Sequence, residues 1–218
     1  MAGRIPIAVA HLDESCLGNG REGENPGGAG GLVEIRHRQA IERREFFIHA
    51  PSTTNNRMAL SGAIALLQLL AGKGKRLQVL LISDSEYLVR GVREWLPAWV
   101  SRGWTRKAGP IENLELWKAL YASLSNHDVT LCWVRGHAGH AKNEFANDLA
   151  VKAAKEQVTS AGLVEATFPD WLEGQRKKRR YAGYDADQTF ATLEARIAAG
   201  ERLPLALEEV SSAAQAGS

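Results

Sequence analysis

The chain has 218 residues, 44% of them hydrophobic and 24% charged, and a formal net charge of +2. This is ordinary globular composition, long enough to bury a core and too weakly basic for bulk charge alone to point to nucleic acid. No apolar run approaches the roughly 20 residues that span a bilayer, and MAGRIPIAVAHL is not a convincing secretory leader, so the expectation is a cytoplasmic protein with no membrane partner.

The charge is uneven. Residues 1–159 carry 20 Lys and Arg against 16 Asp and Glu, and residues 160–218 carry 7 against 9. The two cysteines, Cys16 and Cys132, form no CxxC pair and read as free thiols in a reducing compartment.

In chain order, the β-branched and apolar residues 5–12 predict a buried strand. The glycines and proline of 13–31 predict a loop or wide hairpin. Short strands follow at 32–37 and 41–49. Residues 53–71 predict a helix, with Met58, Leu60, Ile64, Leu67 and Leu70 apolar and a Thr/Asn start suited to an N-cap. LQVLLI at 77–82 reads as a central strand covered on both faces. A second helix is expected over 83–95, broken around Pro97, Gly103 and Pro110. A helix over 111–124, a strand over 129–134, a polar loop RGHAGHAKN and a helix over 144–154 complete the order. This is a mixed sheet with packed helices. Residues 1–157 are expected to form one domain. Residues 158–218, with the basic run Arg176–Arg180 and one or two helices, one of them near 187–199, are expected to form an extension.

Four segments carry chemistry: LDESCLGN at 12–19, TTNNRM at 53–58, SDSEYLVRGV at 83–92 and WVRGHAGHAKNEFANDLA at 133–150. Singly they are weak, since an Asp ending an apolar strand often only caps the next helix. Together, and in this order, they resemble the type 1 ribonuclease H family. The resemblance covers about 150 residues and implies an α/β fold, a ribonuclease H-like mixed five-stranded sheet flanked by helices. It also implies cleavage of the RNA strand of RNA/DNA hybrids with Mg²⁺ or Mn²⁺. Such chemistry needs carboxylates, because hard divalent ions prefer oxygen donors and two ions clamp the attacking and leaving oxygens.

The family pattern implies four acids. Asp13 and Asp84 match the first and third. Ala59 stands where the family has Glu, and Asn147 where it has Asp. Asp148 is not an equivalent replacement, because one residue turns about 100° around a helix. Glu14 stands where the family often has Gly; strand alternation is expected to turn it away from Asp13. Glu86, two residues after Asp84, is the better placed candidate for a substitute metal ligand. The resemblance further implies substrate contacts by Asn19, Asn55, Asn56 and Arg57, a kinetic role for His137, and a gripping segment carrying Arg102, Arg106 and Lys107.

Counting two carboxylates instead of four, the sequence favours a hybrid-binding protein with lost or strongly weakened cleavage. The alternatives are an active metal-dependent endonuclease, or a scaffold acting on a protein partner through residues 160–218.

Overall fold

The computed structural model describes residues 5–18, 25–72 and 74–207. A mixed six-stranded sheet runs in the order β5-β4-β1-β2-β3-β6. Its strands are β1 (Ile7–Cys16), β2 (Gly27–His37), β3 (Ala40–Ala50), β4 (Gln78–Ser83), β5 (Asp128–Trp133) and β6 (Val164–Glu165). β1, β2 and β3 form an antiparallel meander, and β4 and β5 lie parallel to β1. The five expected strands are all present, and the sixth comes from the extension, paired with the outer edge of β3.

Of the loop or wide hairpin expected over 13–31, the structure has the hairpin, with Gly27–Gly31 in strand. β1 runs on to Cys16 and β2 begins at Gly27. The reason is a close approach, not a turn. A Cβ on Gly30 would stand 2.5 Å from Leu149 Cβ, and one on Gly28 would stand 2.2 Å from the Ala150 carbonyl. Helix α5 (Ala141–Glu156) therefore lies directly on the β2 backbone.

One face of the sheet is covered by α1 (Asn55–Ala71), the short α2 (Glu86–Arg90) and α3 (Leu96–Ser101), and α4 (Leu114–Leu124). The Thr54 side chain caps α1 by accepting from the Arg57 amide, as the Thr/Asn start predicts. The helical run after Asp84 does not stop at Pro97. A π-helical turn at Gly91–Trp95 leads into α3, where Pro97 sits in the first turn and needs no amide donor.

The other face is covered by α5, α6 (Phe168–Lys177) and α7 (Ala186–Ala198). The extension holds two helices, within the one or two expected, and α6 ends in the basic run. Its Phe168 and Trp171 pack on Phe145 of α5, with ring centroids 5.3 and 5.6 Å away. Phe190, Leu193 and Ile197 of α7 close a core over Ile7, Val9, Leu80, Ile82 and Cys132. Leu205 and Leu207 exchange backbone hydrogen bonds with Trp133 along the outer edge of β5. Among the described residues, the extension thus shares the sheet's own core.

Buried polar pairs reinforce this joint. Lys142 Nζ donates to Glu34 Oε2 at 2.6 Å and to the Ala186 carbonyl at 2.9 Å. Arg43 bridges Glu34 and Asp187. Glu34 is wholly buried, so its two cationic partners are required to offset desolvation.

Candidate active site

Alternation along β1 sends Ala8, Ala10 and Leu12 into the core under α1, and Ile7 and Val9 into the core under α7. By the same parity Asp13 belongs to the α5 face and Glu14 to the α1 face. Both nevertheless meet at one point. The β1–β4 pairing ends at Leu12 opposite Ser83, so past Leu12 no β4 strand walls one face from the other. Asp84 follows Ser83 directly, at the end of β4.

Ligand oxygens of Asp13, Glu14 and Asp84 lie within 4.8 Å of one another. The expectation that Glu14 turns away from Asp13 is corrected here. The two do leave opposite faces, but the site sits on the end of the sheet, where both faces are within reach. Glu86, expected to be the better substitute, is not in the cluster. Its side chain is 65% exposed and lies 3.9 Å from Arg90, one helical turn on. Ala59 is fully buried in the core under α1 and offers no ligand.

The three acids are costly neighbours. Burial, then the charges of Asp84 and Glu14, push Asp13 up to about 9. Burial and Asp84 push Glu14 up to about 8. Burial also raises Asp84, opposed by its own backbone amide, His137, Asn143 and His140. The Asp84 carboxylate is packed against the GHAGH loop so closely that a Cβ on Gly136 would stand 2.3 Å from its Oδ2. Trp133 Nε1 donates to the Asp84 carbonyl at 2.9 Å and fixes the strand end.

A residue that sequence reasoning passed over completes the cluster. Helix α5 starts at Ala141, three residues before the expected start, which places Asn143 in its first turn. Asn143 Nδ2 donates to Asp13 Oδ2 at 2.9 Å, while Asp13 Oδ1 accepts from the Glu14 amide at 2.7 Å. Asn143 Oδ1 is buried with no partner, and so is Glu14 Oε2. Asn147 lies one turn further along the same helix and is half-buried. The missed signal was the i, i+4 pair of asparagines, which share a helix face.

The other expected residues stand outside the carboxylate cluster. Asn55 and Asn56 open α1, with Asn55 Oδ1 buried and unpartnered, and Arg57 reaches Asn113 at 3.3 Å. His137 sits in the loop with a left-handed backbone, φ 52°. Arg102, Arg106 and Lys107 are exposed beyond α3, beside a cluster in which Trp95, Trp99, Trp117 and Tyr87 pack on one another. Asn19 lies outside the described residues.

Three acids gathered at one end of a sheet do not by themselves name a family, but the matched stretch decides the matter: the pattern of the RNase H family covers residues 7–155. The chain belongs to the RNase H family. Ribonuclease H of Pseudomonas fluorescens is 41% identical over 157 residues, 72% of this chain and 95% of that protein. Ribonuclease H of Erwinia tasmaniensis is 41% identical over 143 residues, 65% of this chain and 85% of that protein. Among solved structures, LC9-RNase H1 is described as "a type 1 RNase H with the type 2 active-site motif". It is 48% identical, with a TM-score of 0.73 over 78% of this chain and 82% of that one. The RNase H domain of a foamy virus, at 20% identity and a TM-score of 0.59 over 70% of this chain and 97% of that one, shares the fold. Residues beyond 155 fall outside the family match. Among the described residues no helix is long and apolar enough to cross a membrane.

Proposed function

We propose that this chain is an active RNase H that cleaves the RNA strand of RNA/DNA hybrids, using a divalent metal held by Asp13, Glu14 and Asp84. The carrying observation is the third carboxylate. The reading of weakened cleavage counted only Asp13 and Asp84, whereas Glu14 brings the cluster to three acids within 4.8 Å of one another.

The donor set fits Mg²⁺ or Mn²⁺. It is all oxygen, and two of its buried oxygens, Glu14 Oε2 and Asn143 Oδ1, have no protein partner. Carboxylates crowded at this distance hold their protons unless a cation replaces them, which is the sense of the raised pKa values. A divalent ion there would supply Lewis-acid activation of water and neutralisation of phosphate charge.

The protein's own share is placement. Asn143 fixes one oxygen of Asp13 and the Glu14 amide fixes the other. His137 and His140 lie close enough to Asp84 to pull its pKa down, and His137 is the candidate for moving a proton at the leaving oxygen. Asn55, Asn56 and Arg57 present short polar groups and a cation at the start of α1, suited to ribose hydroxyls and phosphate.

The test is single-turnover cleavage of a labelled RNA/DNA hybrid in Mg²⁺ and in Mn²⁺. The wild type is expected to cut. Asp84→Asn and Glu14→Gln are expected to lose at least about 100-fold, and Glu86→Gln to match the wild type. No cutting by the wild type in either metal would sink the reading, leaving a hybrid-binding protein without nuclease activity.

A further inference from the structure

The basic run Arg176–Arg180 lies outside the family match, and no part of the site described above uses it. It forms the last turn of α6 and the tight turn that follows. All five side chains are exposed. The turn is firmly held: the Lys178 and Arg180 amides both donate to the Gln175 carbonyl at 3.0 Å, and the Arg179 amide donates to the Arg176 carbonyl at 2.8 Å. Arg179 and Tyr181 adopt left-handed backbone, φ 62° and 57°, and Tyr181 packs on Trp171, centroids 5.9 Å apart.

This turn is fastened to the first turn of α5, the element that supplies Asn143. Arg180 pairs with Glu144, the residue next to Asn143. Trp171 Nε1 donates to Asp148 Oδ2 at 2.7 Å, one helical turn further along α5. The run therefore flanks the same end of the same helix that faces the carboxylates.

The charge balance leaves cations to spare. Glu144 is taken by Arg180, Asp148 by Trp171, and Glu173 lies 3.8 Å from Arg176. Asp170 stands at the opposite end of α6. Among the described residues, Lys177, Lys178 and Arg179 have no carboxylate within ion-pair distance. An ordinary solvated helix face places opposite charges three or four residues apart, whereas here three consecutive cations are left unneutralised on a rigid turn beside a phosphodiester-cutting site.

We propose that Lys177, Lys178 and Arg179 form a second phosphate-contacting surface, through which the extension grips the backbone of the hybrid beside the catalytic carboxylates. The inference rests on the hybrid-cleaving reading above. Such contacts would be independent of base sequence and would position the duplex. Each neutralised phosphate releases counterions, so affinity falls steeply with salt, with a slope of about −0.9 per contact on duplex DNA.

The experiment uses the full chain and the triple variant Lys177→Gln/Lys178→Gln/Arg179→Gln. Binding of an RNA/DNA hybrid is titrated in EDTA at several salt concentrations, with single-turnover cleavage in Mg²⁺ run in parallel. A control variant, Lys75→Gln/Lys118→Gln, removes exposed cations elsewhere. The triple variant is expected to bind about tenfold or more weakly, with a salt slope shallower by about 2 to 3, and to cut at the wild-type rate once saturated. The thermal midpoint should not move. Affinity and slope equal to the wild type, or an equal loss in the control variant, would overturn the inference and return the run to solvent or to an acidic protein partner. If the wild type cuts the hybrid and the triple variant matches it, only this inference fails. If the wild type neither binds nor cuts, the hybrid-cleaving reading fails with it.

Discussion

The Asn143 side-chain amide donates to Asp13 at 2.9 Å, tying the helix after the GHAGH loop to the end of the first strand. The bond leaves Asn143 Oδ1 buried and free, so Asn143 both orients a carboxylate of the proposed metal site and offers an oxygen of its own. Asn143→Ala is expected to weaken divalent-metal affinity about 10- to 100-fold, the usual cost of losing a group that orients a metal ligand. Titration of cleavage against Mg²⁺ checks this. An unchanged half-saturating concentration would remove Asn143 from the site.

We propose that Glu14 stands in for the carboxylate that the family resemblance implies at Ala59. Leu12 contacts α1 where a Cβ on Gly62 would stand 3.1 Å from its Cδ1, and Glu14, two residues on, leaves the same face of the strand. On that proposal, the carboxylate expected on α1 is supplied instead by the strand under α1. Glu14→Gln should therefore be rescued in part by adding Ala59→Glu. At least tenfold recovery over Glu14→Gln alone is expected in the single-turnover assay. Ala59 is fully buried, so the double variant is also expected to melt lower. Recovery of folding without any recovery of cleavage would show that α1 cannot deliver a carboxylate in this chain.

The raised acids predict how metal and pH act together on stability. Asp13 and Glu14 are pushed up to about 9 and about 8 in the folded protein, from ordinary values of 3.8 and 4.5. The folded state thus keeps protons that the unfolded chain has released, and stability from these two groups is lost progressively as pH rises from their ordinary values toward 8 and 9. Lys142 and His11, both shifted down, tilt the curve the other way with or without metal. The informative quantity is the gain in melting temperature on adding Mg²⁺ over EDTA. It should grow steadily between pH 6.5 and pH 9, because bound metal replaces the held protons. Glu14→Gln should flatten that growth. A gain independent of pH would mean the acids are already ionised and the site is not proton-loaded.

Gly136 gives a test of the loop. A methyl group there would meet Asp84 Oδ2 at 2.3 Å, so Gly136→Ala has to move either the carboxylate or the loop. Activity should fall by about 100-fold, since a misplacement of about 1 Å is enough for that. The melting temperature should change little, because the loop is exposed at Arg135 and His137 on either side. An intact rate would mean the loop is free to yield.

Much of this was legible in the sequence because the relevant signals are local. TTNN carries its own N-cap, LQVLLI its own burial, and the four segments their spacing. Three features were not legible. Gly27–Gly31 looks like loop until α5 is placed against it, since only the close helix approach explains bare backbone in a strand. Glu14 fails a correct alternation rule because the site lies where β4 ends, a fact of register between strands far apart in sequence. The role of residues 158–207 depends on long-range pairs such as Lys142 with Glu34 and Ala186, which no periodicity reveals.

Those pairs carry the last prediction. Phe190 is fully buried and packs with Ile7, Val9 and Cys132 of the sheet. Phe190→Ala is expected to cost about 3–5 kcal/mol, as for other large buried aromatics. Truncation after residue 157 would go further. It would strip the cover from that face, remove the Ala186 carbonyl and Asp187, and leave Lys142, Glu34 and Arg43 to share one buried network with a partner missing. Although the family match ends at residue 155, the truncated chain is expected to aggregate or melt far below the full chain, as followed by thermal denaturation and size-exclusion chromatography. If it is monomeric with an unchanged melting temperature, residues 158–207 form a dispensable appendage. They would then be a separate unit resting on a core that stands without them.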